Sequence, residues 1–436
     1  MHKHNNKQNN KVYFKTFGCR TNVFDTQVMM NKLEDFEVVL DEKEANIVVI
    51  NSCTVTNSAD STARNCINSL KKMPLNPRVI FTGCGVWTKG EDLFKTKKVD
   101  ALFGHSEKEK INTLLKDETR FFEAGDLEHI DDSIIDKMIG KSRAFIKIQE
   151  GCDFRCNYCI IPFVRGDARS YTEEKILEQI TLLASNGFGE FILTGTNIGS
   201  YNGSKSDITK GRKGGLAHLL KKISMIRGVR RIRLGSVEPI QITNEFKEIL
   251  TEPWIAKQMH IALQHTSPKM LELMNRRNKM DKDLELFEYI SDKGYALGTD
   301  FIVGHPGETD KLWDEAIKNI KKFPLTHIHQ FTYSKRDGTP SATMKENVNG
   351  VISKKRSQEL QNIINEKNKT FRDKLKQTTP LEVLIESKKD KSDDIYIGYD
   401  QFFNKVEVQS LEDLVGNWIY LENYQVKDKI NVSRFN

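Results

Sequence analysis

Ala144-Phe145-Ile146-Lys147-Ile148-Gln149-Glu150-Gly151-Cys152-Asp153-Phe154-Arg155-Cys156-Asn157-Tyr158-Cys159 is a short apolar strand pattern that runs straight into three cysteines. Three residues separate the first pair of thiols and two separate the second. That spacing wraps one loop around a 4Fe–4S cluster, a group usually held by four thiolates. Three thiolates leave one iron open to a substrate or cofactor. Zinc is the rival metal, but a closed zinc site needs a fourth ligand, and no His follows at zinc-finger spacing. Asp153, Arg155 and Asn157 make the loop polar, which disfavours cysteines buried only as small hydrophobes. In a parallel α/β sheet, ligand-bearing loops of this kind follow the C-terminal ends of strands.

Downstream, strand patterns recur at 191–194, 231–234, 260–263, 298–303 and 327–332. Amphipathic helical patterns lie between and after them at 173–185, 216–226, 244–250, 268–276, 283–293 and 311–323, with Gly187 and Gly294 at helix stops. With the strand at 144–148, six strand–helix repeats predict a parallel barrel or part-barrel. The cysteine loop follows its first strand.

Upstream, the other cysteines share one local context. A strand pattern at 12–17 leads to Gly18-Cys19, one at 47–50 to Asn51-Ser52-Cys53, and one at 79–81 to Thr82-Gly83-Cys84. Helical patterns at 23–33 and 59–72 separate them. Strands alternating with helices imply a second parallel sheet, whose strand C-termini share one edge. Cys19, Cys53 and Cys84 are therefore expected to converge on a second thiolate site. Cys66, inside the second helical pattern, reads as a core residue.

A chain of 436 residues suggests about three domains. The fold class is α/β, divided as follows: 1–10 a disordered leader, 11–120 the N-terminal domain, 121–142 a connection, 143–352 the barrel core. A basic amphipathic helix follows at 353–376, with Leu360, Ile363, Ile364, Phe371 and Leu375 as its apolar face. Short strand patterns at 381–385, 395–398, 405–408 and 418–422 predict a small antiparallel barrel over 377–436. The first residues lack the apolar stretch of a signal peptide, and no apolar run is long enough to span a membrane. Dispersed cysteines with two thiolate sites point to a reducing compartment, the cytoplasm. The net charge of +7 permits a nucleic-acid partner without demanding one.

Together these residues resemble the radical S-adenosylmethionine methylthiotransferases, over essentially the whole chain after the leader. The resemblance is carried by Thr16-Phe17-Gly18-Cys19-Arg20-Thr21-Asn22, Asn51-Ser52-Cys53-Thr54-Val55-Thr56, Ile148–Cys152, Cys159-Ile160-Ile161-Pro162-Phe163-Val164-Arg165-Gly166 and Tyr333-Ser334-Lys335-Arg336-Asp337-Gly338-Thr339-Pro340. Within the family it is nearest to the tRNA enzymes that act on N6-threonylcarbamoyladenosine beside the anticodon.

The resemblance implies two 4Fe–4S clusters, one on Cys152, Cys156 and Cys159 and one on Cys19, Cys53 and Cys84. It implies that S-adenosylmethionine binds the open iron of the first and is cleaved to a 5′-deoxyadenosyl radical that activates C2 of adenine. The second cluster would carry the sulfur to be inserted, and a second S-adenosylmethionine would supply the methyl group. Thr194, Gly195, Asn197, Ser236, Glu238, Gln264, Arg276 and Gly304 match the family's cofactor-contact segments. His260, His265 and His305 read as polar strand-end groups. The C-terminal segment looks like the TRAM RNA-binding barrel, yet from Thr378 onward it holds seven Lys and Arg against eleven Asp and Glu, the reverse of what phosphate binding favours. Basic residues concentrate instead at Lys354, Lys355, Arg356, Arg372, Lys374 and Lys376 and at Lys205, Lys210, Arg212 and Lys213. These, with the C-terminal barrel, are expected to clamp a tRNA anticodon arm, and Phe402, Phe403, Trp418 and Tyr420 read either as base-stacking groups or as core. The implied partners also include an electron-donating reductase and a sulfur donor, with the chain acting as a monomer. Alternatives are action on isopentenyladenosine in tRNA, action on a ribosomal-protein aspartate, or a non-catalytic iron–sulfur RNA-binding protein.

Overall fold

Ile47–Ser52 and Arg78–Gly83 are almost wholly buried, as strands covered on both faces must be. They form the centre of a six-stranded, all-parallel sheet in a computed structural model that describes residues 10–203, 215–390 and 394–435. Its strands are β1 (Lys11–Thr16), β2 (Glu37–Val38), β3 (Ile47–Ser52), β4 (Arg78–Gly83), β5 (Ala101–Phe103) and β6 (Phe122–Glu123), in the order β2-β1-β3-β4-β5-β6. The order reverses between β1 and β3, the switch point at which open α/β sheets bind ligands. The sheet extends to Glu123, past the expected boundary at 120, because β6 pairs with β5. Helices Arg20–Lys32 and Asn57–Leu70 cover it, the second capped by the Thr56 hydroxyl accepting from Ala59 N at 3.1 Å.

The second domain carries β7 (Ala144–Lys147), a hairpin of β8 (Gln149–Glu150) and β9 (Arg169–Ser170), then β10 (Glu190–Thr194), β11 (Arg231–Leu234), β12 (Ser236–Val237), β13 (Gln258–Ile261), β14 (Ala296–Val303) and β15 (Leu325–Thr332). The strands β7-β10-β11 form one parallel sheet and β12-β13-β14-β15 another. Only Gly235 separates β11 from β12, so the two sheets make one open six-stranded part-barrel, as expected. Phe191, Leu193, Ile232, Leu297, Phe301 and Val303 are fully or almost fully buried in its core. Phe24 and Val28 of helix Arg20–Lys32 belong to that same core. The N-terminal domain is therefore docked on the barrel through the helix that begins beside Cys19.

Helix Gly350–Lys376 links barrel to C-terminal domain. Leu360 and Ile364 enter the barrel core, and Phe371 and Leu375 pack on the C-terminal core. That domain comprises β16 (Leu381–Lys388), β17 (Ile395–Tyr399), β18 (Lys405–Gln409), β19 (Trp418–Leu421), β20 (Gln425–Val426) and β21 (Asn431–Arg434), in the order β19-β16-β17-β18-β21-β20. The expected antiparallel barrel is instead a mixed, curled sheet, since β18 and β21 run parallel. The two short last strands carry too little hydrophobic pattern to be read from sequence.

Two expectations about the basic surface change. Arg356 is buried, with Glu308 and Asp310 each 2.6 Å away. Arg372 is buried and donates to the carbonyls of Lys427, Asp428 and Ile430. Both fasten domains together and are not free for phosphate; Lys354, Lys355, Lys374 and Lys376 remain exposed. Phe402 is core, while Trp418 lies under Arg230 and Arg231. Residues 1–9 of the expected leader and the segment with Lys205, Lys210, Arg212 and Lys213 lie outside the described residues, while Asn10 accepts from Glu37 N at 2.7 Å. No helix among the described residues is long and apolar enough to cross a membrane.

Candidate active site

Each N-terminal cysteine sits where a parallel strand ends. Cys19 follows β1 and is the N-cap of helix Arg20–Lys32; Cys53 and Cys84 directly follow β3 and β4. Gly18 makes the approach possible. Its φ is +96°, and a Cβ there would lie 2.4 Å from the Cβ and 2.9 Å from the sulfur of Cys53, so only glycine fits. Cys53 is pushed up to about 12, first by burial and then by neighbouring Cys84, with Cys19 adding to it. The three thiols are thus mutual neighbours, as the repeated offset predicts.

The second triplet lies on the loop after the β7–β8 segment. Gly151, at φ +70°, would place a Cβ 1.9 Å from the Asp167 carbonyl, and Cys152 N donates to Gly166 O at 3.0 Å. These contacts close the loop at its base. Cys159 is pushed up to about 12 by burial, with Cys156 and Cys152 adding to it. None of the seven cysteines is in a disulfide.

All six cysteines line one cavity of about 360 Å³ between the two domains. N–H groups point at their sulfurs. Arg165 Nε donates to Cys84 Sγ at 3.2 Å, Phe154 N to Cys152 Sγ at 3.4 Å, and Arg276 faces Cys156 Sγ at 3.6 Å. Soft thiols in threes, hydrogen-bonded and free of disulfides, can hold two iron–sulfur clusters. Metal binding there must displace the protons that burial retains on the thiols. Cys66 stands apart on helix Asn57–Leu70, packed against the N-terminal core.

The matched cofactor-contact residues divide in three. Gly195, Asn197, Ser236, Glu238, Gln264 and Arg276 line the cysteine cavity. Asn197 Oδ1 is buried without a hydrogen-bond partner, and Glu238 is clamped by Arg276, whose Nη1 lies 2.9 Å from it. Thr194 lines an adjoining cavity of about 870 Å³. Gly304 stands off both: its N–H donates to Glu308 at 3.0 Å, and a Cβ there would strike Ser353. Its position packs against the linker helix.

The sequence did not disclose the charged set behind the cysteines. Arg165 donates to Asp25 at 3.0 Å, to Asn22 Oδ1 at 2.6 Å and to Glu150. Lys147 lies 2.6 Å from Asp25 and 3.1 Å from Glu150, and Lys108 lies 3.0 Å from Asp131. All are buried. Burial opposes every one of these charges. Lys147 and Arg165 outweigh it at Asp25, held down to about 2, and hold Glu150 well below the carboxylate range. The available signal was the polar stripe Asn22, Asp25, Thr26 at helical spacing on an otherwise buried face. Nor was the meeting of His260 and His329 with Asp300 foreseen; their ligand atoms lie within 4.8 Å of one another at the larger cavity.

Comparison with known proteins agrees with this architecture. Residues 11–104 match the model described as "Uncharacterized protein family UPF0004", and residues 146–320 match the Radical SAM superfamily. A Helicobacter pylori protein named "Putative methylthiotransferase" is 51% identical over 98% of this chain and 100% of its own length. The chain belongs to the radical SAM methylthiotransferase family. Its relatives include the threonylcarbamoyladenosine tRNA methylthiotransferase MtaB of Aquifex aeolicus, 34% identical over 84% of this chain and 90% of the relative. The tRNA-2-methylthio-N(6)-dimethylallyladenosine synthase of Bacillus subtilis is 29% identical over 96% and 84%. Among solved structures, the radical S-adenosylmethionine methyltransferase TsrM of Kitasatospora setae superposes with a TM-score of 0.57 at 15% identity, covering 76% of this chain and 77% of TsrM. That likeness shows the shared fold.

Proposed function

We propose that this family member converts N6-threonylcarbamoyladenosine, next to the anticodon of tRNA, to its 2-methylthio derivative. The observation that carries the reading is the meeting of two cysteine triplets, from two domains, on one cavity. Methylthiolation needs C–H activation and sulfur delivery at the same carbon, and two triplets on one cavity suit that need. When bound, a cluster on Cys152, Cys156 and Cys159 supplies the electron that cleaves S-adenosylmethionine, and one on Cys19, Cys53 and Cys84 supplies an exchangeable position for sulfur.

The chain's own residues orient and shield this chemistry. Asn197, with its buried free acceptor beside Cys152, suits the ammonium of the cofactor's amino acid part. Glu238, fixed by Arg276, offers a carboxylate to ribose hydroxyls. Gly195, Ser236 and Gln264 complete that lining, Thr194 lines the adjoining cavity, and Gln264 takes a φ of +65°. The chain is proposed to act as a cytoplasmic monomer that draws on an external reductase and sulfur donor.

The threonylcarbamoyl substrate is favoured by the identity to the Aquifex aeolicus protein. The test uses cluster-loaded protein, a reductant, sulfide, S-adenosylmethionine and tRNA carrying either modified adenosine. A 2-methylthio product on the threonylcarbamoyl nucleoside supports the reading. Product only on the dimethylallyl nucleoside, or none on RNA, contradicts it.

A further inference from the structure

Arg20 directly follows Cys19 and lines the larger cavity. Its guanidinium stacks over the Phe403 ring, 5.5 Å from the centroid. Among the described residues its side chain makes no ion pair or hydrogen bond. The acids near it are taken: Glu190 pairs with Arg231 and Arg233, and Glu386 with Arg143. A mostly buried guanidinium that makes no ion pair is costly unless a ligand supplies a partner.

The cavity is contiguous with the cysteine site. Cys19, Cys53, Ser236 and Asp300 line both. Beside Arg20 it carries Phe403 and Tyr399, stacked at 4.9 Å, and Lys405. Arg20, Lys405 and Lys429 share this lining with Asp300 and Asp428, and its volume of about 870 Å³ suits one nucleotide with a bulky substituent. On adenine, C2 and C6 flank N1, so a substituent on N6 shares an edge with the C–H bond to be activated. A residue reading that substituent must lie close to the sulfur-delivering site, and Arg20 is adjacent to one of its ligands.

We infer that Arg20 binds the carboxylate of the threonyl group, and that the larger cavity holds the substrate nucleoside. This rests on the threonylcarbamoyl reading above. Guanidinium and carboxylate pair through charge-assisted, bidentate hydrogen bonds. An uncharged dimethylallyl group would leave Arg20 unpaired, so the same residue selects against it.

The test measures binding of cluster-loaded protein to anticodon stem-loops. Three loops are compared: threonylcarbamoyladenosine, the same nucleoside with its carboxylate as a methyl ester, and unmodified adenosine. Wild type should bind the carboxylate loop about ten-fold or more tightly than the other two. Arg20→Met should bind all three alike, and Arg20→Lys should retain part of the preference. A wild type that does not separate acid from ester overturns the inference without recourse to any variant. So does an Arg20→Met protein that keeps the preference. The two readings fail separately: product on the threonylcarbamoyl nucleoside with an unchanged Arg20→Met preference removes this inference and leaves the activity standing.

Discussion

Arg165 donates from Nε to the sulfur of Cys84 across 3.2 Å. The arginine lies six residues beyond Cys159 in the barrel, and the cysteine ends a strand of the other domain. One guanidinium thus ties the barrel segment after Cys159 to Cys84, while Asp25, Glu150 and Asn22 hold its remaining donors. Burial opposes its charge, but Cys84, Asp25 and Glu150 outweigh burial and keep it above its ordinary value.

Arg165→Met should therefore destabilise the protein by about 3–5 kcal/mol, because it strands buried carboxylates. Arg165→Lys keeps the charge and loses the planar fork that serves four partners at once. It should fold with a lower melting temperature. Hydrogen bonds to sulfur help set cluster potentials, so the cluster on Cys19, Cys53 and Cys84 should become harder to reduce. A redox titration followed by electron paramagnetic resonance reads this. An unchanged potential would remove the sulfur contact from the account.

Iron content separates the two triplets. Reconstituted wild type should hold about eight iron atoms per chain. Replacing Cys152, Cys156 and Cys159 together with Ala should leave about four, and replacing Cys19, Cys53 and Cys84 should do the same. Cys66→Ser should change nothing. Iron analysis and the visible absorption spectrum decide it, and a shared loss of all iron from either triple variant would contradict two independent sites.

Arg336 fastens the Cys53 loop to the barrel. Its Nη1 lies 2.6 Å from Asp60, it donates to Val55 O at 3.3 Å, and Asp60 accepts from Thr54 at 2.8 Å. Arg336→Met should cost about 3–5 kcal/mol and loosen the loop that carries Cys53. Under a chelator, the variant should lose iron from the N-terminal triplet first. Equal loss from both triplets would show that the pair supports only global stability.

His105 and His305 are buried and neutral. Burial holds them down to about 3 and about 4, with Arg165 opposing charge on His105. His305 sits between Pro306 O at 2.9 Å and the Ser341 hydroxyl at 2.7 Å. In the unfolded chain each takes a proton near pH 6.5. Below that pH the unfolded chain binds protons that the folded chain refuses, so stability is full above about pH 6.5 and falls as pH drops. Each should remove about 1.4 kcal/mol per pH unit between 6.5 and its folded value. Melting temperature should decline from pH 7 to pH 5, less steeply in His305→Gln. A flat curve would contradict this.

Most of the fold was legible because both parallel sheets repeat short apolar strands before helical patterns. All six strands of the part-barrel fall where the periodicity puts them. Cys19, Cys53 and Cys84 were legible as a set because each follows a strand, and Cys152, Cys156 and Cys159 because of their spacing on one loop. The charged set around Arg165 was not, since its partners lie more than a hundred residues apart and burial reverses the usual reading of Asp and Lys. The parallel pairing of β18 and β21 was hidden for a different reason: β21 is four residues long and only Asn431 in it is buried. Arg356 and Arg372 show the limit of charge counting, because a basic run on a helix does not say which members face carboxylates and carbonyls.

The most direct measurement is nucleoside mass spectrometry of tRNA from cells with and without this gene. The account predicts that 2-methylthio-N6-threonylcarbamoyladenosine disappears from the deletion strain and that N6-threonylcarbamoyladenosine accumulates in its place. Unchanged levels of both nucleosides would contradict it.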